Sequence, residues 1–268
     1  MGAVSTTSRW LVAIKSNPNA RLRLFLFPYA GGGAHAYREW GSALPPYIEA
    51  FALQYPGRGE RILDPAFTRL SPLVEKITHE LLPYIDKPYT FFGHSMGALV
   101  SFEVARKLRR EHGLAPRYLF VSACNSPQDR KNESRYSLLP EDELINELTR
   151  LDGAPKEVLE NRELMNMMLP TIRADFAVCE DYSYASDSLL SCPIIAVGGI
   201  EDHETSRTRL EKWRNETDSY FELKMFEGGH FFINSAHKPL LQFVTRQLER
   251  TAWSLSSTRQ SFKEGLSA

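Results

Sequence analysis

The pentapeptide Gly93-His94-Ser95-Met96-Gly97 constrains this chain more than any other stretch. It follows an apolar, aromatic run, Pro88-Tyr89-Thr90-Phe91-Phe92, with the composition of a buried strand. It precedes Ala98-Leu99-Val100-Ser101-Phe102-Glu103-Val104-Ala105, which reads as a helix. A chain that passes from strand to helix in so few residues must turn sharply. Small residues are needed at Gly93 and Gly97, because a side chain there would meet the adjoining strand or helix. The turn lifts the Ser95 hydroxyl clear of the backbone and sets it over a helix N-terminus, where developing negative charge is favoured.

A bare G-x-S-x-G is common in ordinary loops. Between a strand and a helix it forms the nucleophile elbow of the α/β-hydrolase fold. The expectation is a mostly parallel central sheet, flanked by helices, in a single domain spanning residues 1–268. That length is enough for one large core. A hydrophobic fraction of 43% and a charged fraction of 24% exclude a disordered or collagen-like chain. A net charge of -1 gives no reason to expect nucleic acid or an anionic membrane as partner. The cysteines Cys124, Cys179 and Cys192 are odd in number and lack metal-ligand spacing, which fits free thiols in a reducing compartment. The polar stretch from Met1 to Arg9 holds no apolar signal core, and no run approaches the ~20 apolar residues of a membrane span. A soluble, cytoplasmic, monomeric protein is expected.

In chain order, residues 1–9 read as a tail and Trp10 to Ile14 as a short edge strand. Arg21 to Phe27 is a strong strand that runs into Pro28-Tyr29-Ala30-Gly31-Gly32-Gly33. The glycines let backbone N–H groups approach a bound group, and a loop in this position suits an oxyanion site. Ala34 to Leu44 reads as a helix ending at Pro45-Pro46, and Ala50 to Gln54 as a strand. Arg58 and Arg61 lie in a turn-rich loop; an anionic ligand is one role for them, and plain solvation is the favoured one. Ser71-Pro72 predicts a helix start with Ser71 as its N-cap. The elbow helix should end at Gly113, and Tyr118 to Ala123 is the next strand.

The strand–helix alternation then breaks. Residues 127–190 predict short helices at Pro140 to Arg150, Pro155 to Glu160 and Arg162 to Met168. A long helical insertion between two strands is most simply a lid. Its Met165, Met167 and Met168 suit an adaptable apolar surface or plain core equally well. Strands resume at Pro193 to Gly198 and Phe221 to Phe226, with a short helix at Arg207 to Arg214. His237 to Trp253 reads as a closing helix and 254–268 as a disordered tail.

A serine hydroxyl is a poor nucleophile until a base takes its proton, and the base needs a carboxylate to fix its tautomer. This fold orders them Ser, acid, His. Of seven histidines, His203 and His237 are possible bases, but His230 alone follows a strand at a Gly-Gly turn that lets its ring swing over the sheet edge. For the acid, Asp202 lies in a loop beyond a strand; Glu201 is one residue away and Asp129 follows the preceding strand. No Cys/His cluster or Walker-type glycine loop suggests a metal or an organic cofactor.

The chain resembles the type II thioesterases that accompany non-ribosomal peptide and polyketide synthases, and the related medium-chain fatty acyl thioesterase. The resemblance is carried by Phe27-Pro28-Tyr29-Ala30-Gly31-Gly32, Tyr55-Pro56-Gly57-Arg58, Phe92 to Gly97, Ile172-Arg173-Ala174-Asp175, Gly198 to Asp202, and Gly228-Gly229-His230-Phe231-Phe232. It implies removal of unwanted acyl groups from the phosphopantetheine arm of acyl- or peptidyl-carrier proteins. It also favours Asp202 over Asp129 and places oxyanion donors at the backbone N–H groups of Ala30 and Met96. The residues alone leave open a carboxylesterase of small esters and, less readily, a catalytically silent binding protein.

Overall fold

The computed structural model describes residues 8–129, 135–153 and 156–249. Seven strands form one sheet in the order β1-β3-β2-β4-β5-β6-β7. They are β1 (Leu11–Lys15), β2 (Leu22–Phe27), β3 (Ile48–Leu53), β4 (Tyr89–His94), β5 (Leu119–Ser122), β6 (Ile194–Gly199) and β7 (Phe221–Phe226). Only the edge strand β1 is antiparallel to its neighbour. Period-2 alternation divides the strands between two cores. Leu22, Leu24 and Leu26 face one side of the sheet, Phe25 and Phe27 the other.

Helices cover both faces, as a nearly all-parallel sheet requires. They are α1 (Trp40–Ala43), α2 (Leu70–Leu81), α3 (Met96–His112), α4 (Glu141–Arg150), α5 (Lys156–Leu159), α6 (Arg162–Glu180), α7 (Arg207–Glu211), α8 (Phe232–Ser235) and α9 (237–249). Leu73, Ile77 and Leu81 of α2 pack with α3 on the Phe25 side. Leu240, Leu241, Val244 and Leu248 of α9 pack on the Leu24 side. Between β5 and β6, the described residues are helical or irregular, save one isolated bridge from Leu190 to Thr217. This connection has a small core of its own around Leu144, Leu148, Met165, Leu169 and Ile172. Among the described residues, no helix is long and apolar enough to cross a membrane.

Three local expectations need correction. Ala34 to Leu44 is not one helix but a 3-10 turn, Ala34–Tyr37, followed by the single turn α1. Tertiary contacts override helix propensity there. The Tyr37 hydroxyl donates to the Phe27 carbonyl at 2.8 Å, and Tyr37 and Trp40 pack edge-on against Phe92. Helix α2 begins two residues early, at Leu70; Arg69 is its cap, and no side chain caps it. Pro72 therefore sits third in the helix, where its missing N–H would have had no partner within the helix. The helix expected to end at Met168 runs on through Pro170 to Glu180. Pro170 removes one N–H from the ladder, but Thr171, Ile172 and Asp175 are anchored below it by contacts described later. Residues 1–7 of the expected tail at 1–9 and the whole of that at 254–268 lie outside the described residues, as do the end of the expected closing helix and the start of the one at Pro155.

The elbow is built as its composition requires. A Cβ on Gly93 would lie 2.2 Å from the Gly97 carbonyl oxygen, and one on Gly97 would lie 2.0 Å from the Phe27 carbonyl oxygen. Both obstacles are backbone, so neither can swing aside. Gly97→Ala is expected to lower unfolding stability by about 3 kcal/mol, the upper end for overpacking, because strand β2 itself must move. A urea midpoint within error of the parent would refute this account of the turn.

Candidate active site

Parallel strands bring their C-terminal ends, and the loops beyond them, to one edge of the sheet. Ser95 follows β4, Asp202 follows β6, His230 follows β7, and the 28–33 loop follows β2. Ser95 has φ 52 and ψ -116, a conformation that costs a non-glycine residue energy and persists only when its surroundings impose it. Its N–H donates to the Ser122 carbonyl at 2.8 Å, which ties the turn to β5.

Residues far apart in sequence form one hydrogen-bonded chain. Ser95 Oγ lies 3.0 Å from His230 Nε2, and His230 Nδ1 lies 2.9 Å from Asp202 Oδ2. An ionised carboxylate can only accept, so Nδ1 carries the proton and Nε2 is left to accept from the serine hydroxyl. Asp202 is buried and well supplied with donors. Its Oδ1 accepts from the N–H groups of Glu204 at 2.8 Å and Thr205 at 3.2 Å, and its Oδ2 also accepts from the Thr205 hydroxyl. Burial alone would raise the Asp202 carboxyl. The hydrogen bond and charge of His230, with the Thr205 and Glu204 donors, outweigh it and hold the group below the usual carboxylate range.

The rival carboxylates are elsewhere. Asp129 is engaged by Lys212 Nζ at 2.5 Å and by Arg209 at 3.6 Å. Glu201 is exposed, its N–H donating to the Gly228 carbonyl. His94 lies beneath the elbow, fully buried, with Nδ1 2.8 Å from the Ser122 hydroxyl oxygen. Burial, reinforced by the nearby His230, keeps its imidazole well below the ordinary histidine value and so neutral.

Above Ser95 lies a cavity of about 860 Å³. Tyr29, Ala30, Met96 and His230 line its floor, and α6 supplies Met165, Met167, Met168, Ile172 and Phe176 from the opposite side. The three methionines combine both expected roles. Met165 is buried in the small core, Met167 is 58% exposed, and Met168 lies between. The Ala30 N–H has no acceptor among the described residues, whereas those of Gly31, Gly32 and Ala34 are all engaged. Met96 is the first residue of α3, so its N–H has no partner within the helix.

The loop arginines are the clearest departure from the sequence reading, which favoured solvation. Arg58 and Arg61 are 6% and 8% exposed. Arg61 donates to the Gln54 carbonyl at 3.0 Å and to Asp64 at 2.8 Å, and stacks over Trp10. Arg58 forms a two-pronged ion pair with Asp175 of α6, both bonds at 2.7 Å. The sequence places Asp175 in the helical insertion and in a stretch that carries the resemblance, but gives it no partner. Thr205, the hydroxyl donor to Asp202, was not foreseen; the run Asp202-x-x-Thr205, in which a carboxylate can bond its own following backbone, was its only signal.

Comparison with known proteins agrees with this geometry. The family described as thioesterase domain matches residues 22–248. The gramicidin S biosynthesis protein GrsT of Aneurinibacillus migulanus is 42% identical over 92% of this chain and 97% of that protein. The solved type II thioesterase BorB, from the borrelidin biosynthetic cluster, superposes with a TM-score of 0.83 at 33% identity, covering 89% of this chain and 97% of that one. YbtT, a type II thioesterase from the yersiniabactin NRPS/PKS pathway, superposes at 0.79 with 28% identity, covering 88% and 97%. With an α/β-hydrolase sheet, a serine at its elbow and this match across nearly the whole sheet, the chain belongs to the thioesterase family and is a hydrolase of thioesters.

Proposed function

We propose that this thioesterase strips stalled or aberrant acyl groups from the phosphopantetheine arm of carrier proteins in a peptide- or polyketide-synthesising system. The observation that carries the chemistry is the chain Ser95–His230–Asp202 at the floor of the cavity. The names of the similar proteins support the setting. In this reading the protein works in the cytoplasm, and the helical β5–β6 connection is the lid that admits the arm.

His230 Nε2 takes the Ser95 proton as Oγ attacks the thioester carbonyl carbon. The carbonyl oxygen becomes an oxyanion facing the N–H groups of Ala30 and Met96. Such a donor is worth roughly 3–4 kcal/mol in the transition state. The tetrahedral species collapses, the C–S bond breaks, and His230 returns the proton to the departing pantetheine sulfur. Water then repeats the sequence on the acyl-serine, with His230 again as base, and the free acid leaves. Asp202 holds the His230 tautomer throughout. No step uses a metal or an organic cofactor.

The test sets one acyl group on a carrier protein against the same acyl group on a simple oxygen ester, with a chelator present. Release followed by intact mass should favour the carrier clearly. Turnover of the oxygen ester with none of the carrier would leave a serine esterase in place of the proposed function. Activity lost to the chelator and restored by added metal would overturn the cofactor-free chemistry.

A further inference from the structure

Two stretches of the chain remain without a part in the chemistry: the Tyr55 to Arg58 loop and the Arg173-Ala174-Asp175 run of α6. The fold brings them together beneath the 28–33 loop. Asp175 Oδ2, already bonded to Arg58, also accepts the Gly31 N–H at 2.7 Å. Arg58 Nη1 in turn donates to the Gly32 carbonyl at 2.9 Å. The Gly32 N–H closes the turn on the Tyr29 carbonyl at 2.9 Å. Both charged groups are almost wholly buried, so neither can exchange these bonds for water.

The consequence for Ala30 follows from peptide planarity. The Ala30 N–H belongs to the same rigid plane as the Tyr29 carbonyl and points the opposite way. Fixing that carbonyl with the Gly32 N–H fixes the Ala30 N–H. The turn that makes this bond is held on either side, by Asp175 at the Ala30–Gly31 peptide and by Arg58 at the Gly32–Gly33 peptide. Helix α6 presses on the same spot: a Cβ on Gly31, whose φ is +75, would lie 2.9 Å from Ile172 Cγ1. Thr171 adds a bond from its hydroxyl to the Gly57 carbonyl at 2.6 Å.

We infer that Asp175, oriented by Arg58, is a positioning residue for the oxyanion site, so that the Ala30 donor faces Ser95 only while α6 is seated on the 28–33 loop. This rests on the proposed role of Ala30. Asp175 touches no reacting atom. It acts through the turn, and because it rides on the β5–β6 connection it makes seating of that cover a condition for stabilising the oxyanion.

The experiment compares the parent with Asp175→Asn, which keeps the shape but loses the charge that orders Arg58. Three quantities are read: kcat and KM on an acyl thioester, the affinity of an alkylboronic acid that forms a tetrahedral anion on the serine, and the affinity of the free fatty acid of equal length. The variant should lose about 10²-fold in kcat, the scale of one oxyanion donor, with KM nearly unchanged. Boronate affinity should fall by a similar factor and fatty-acid affinity by less than about twofold. An unchanged kcat would overturn the inference, as would boronate and fatty-acid affinities that fall together, since a merely structural tie weakens both. If Asp175→Asn does not fold, the same readings are taken on Arg58→Lys, which keeps a cation but loses the fork; the same split is expected at smaller size, and its absence is equally decisive. A parent protein that neither hydrolyses thioesters nor binds the boronate at Ser95 would instead remove the proposed function itself.

Discussion

Ser95→Ala should reduce thioester turnover by about 10⁶-fold while leaving the protein folded. That is the scale seen when the nucleophile of a serine triad is removed, because its partners then have nothing to activate. Alanine accepts the elbow turn no worse than serine, since the strain at φ 52 is a backbone property that both β-carbons share. The Ser95 N–H bond to the Ser122 carbonyl is also kept. Thermal unfolding should therefore move little. A trapped acyl adduct, visible by intact mass in the parent, should be absent. An adduct that persists in the alanine variant would place the nucleophile elsewhere, and Cys124 and Cys179, which also line the cavity, would be the groups to test next.

Asp202→Asn should cost up to roughly 10⁴-fold in kcat with little loss of structure. The direction follows from the donors around the carboxylate. The Glu204 and Thr205 N–H groups bond Oδ1, so an asparagine would leave its oxygen there and turn its NH₂ toward His230 Nδ1. That ring nitrogen would have to accept, and the proton would move to Nε2, where it blocks removal of the Ser95 proton. Asp129→Asn, which disturbs only a pairing with Lys212 and Arg209, should leave kcat near the parent value. The reverse ranking would assign the acid to the earlier loop. The same site shapes the acid limb of stability. Its folded carboxyl is held below the unfolded value of about 3.9, so it stabilises the fold above that pH and ceases to as pH falls through the lower folded value.

The parts of the site that were legible in the sequence are those governed by local geometry. Gly93 and Gly97 announce a turn that only glycine fits, and Gly228-Gly229 before His230 announces another. The alternation of Leu22, Leu24 and Leu26 with Phe25 and Phe27 announces a strand buried on both faces. What escaped was set by partners far away in sequence. Arg58 sits among turn formers, the usual setting of a solvated arginine, and its partner Asp175 lies 117 residues later. Pro170 normally ends a helix, yet α6 continues because Thr171, Ile172 and Asp175 are held by the loops beneath it. Neither fact has a local signal.

The β5–β6 connection bears on how such a fold can diversify. Strand β5 ends at Ser122 and β6 begins at Ile194, leaving 71 residues, 123 to 193, between two neighbouring parallel strands. The entropy of closing a chain segment grows only with the logarithm of its length. Against a minimal crossover of a dozen residues, this excursion costs the sheet only about 1.5 kcal/mol more. Its small core around Leu148 and Leu169 offsets part of that. Insertions and deletions here are thus nearly free for the sheet, and the chamber over Ser95 can be enlarged, narrowed or reshaped by descent while the strand ends beneath it stay in register.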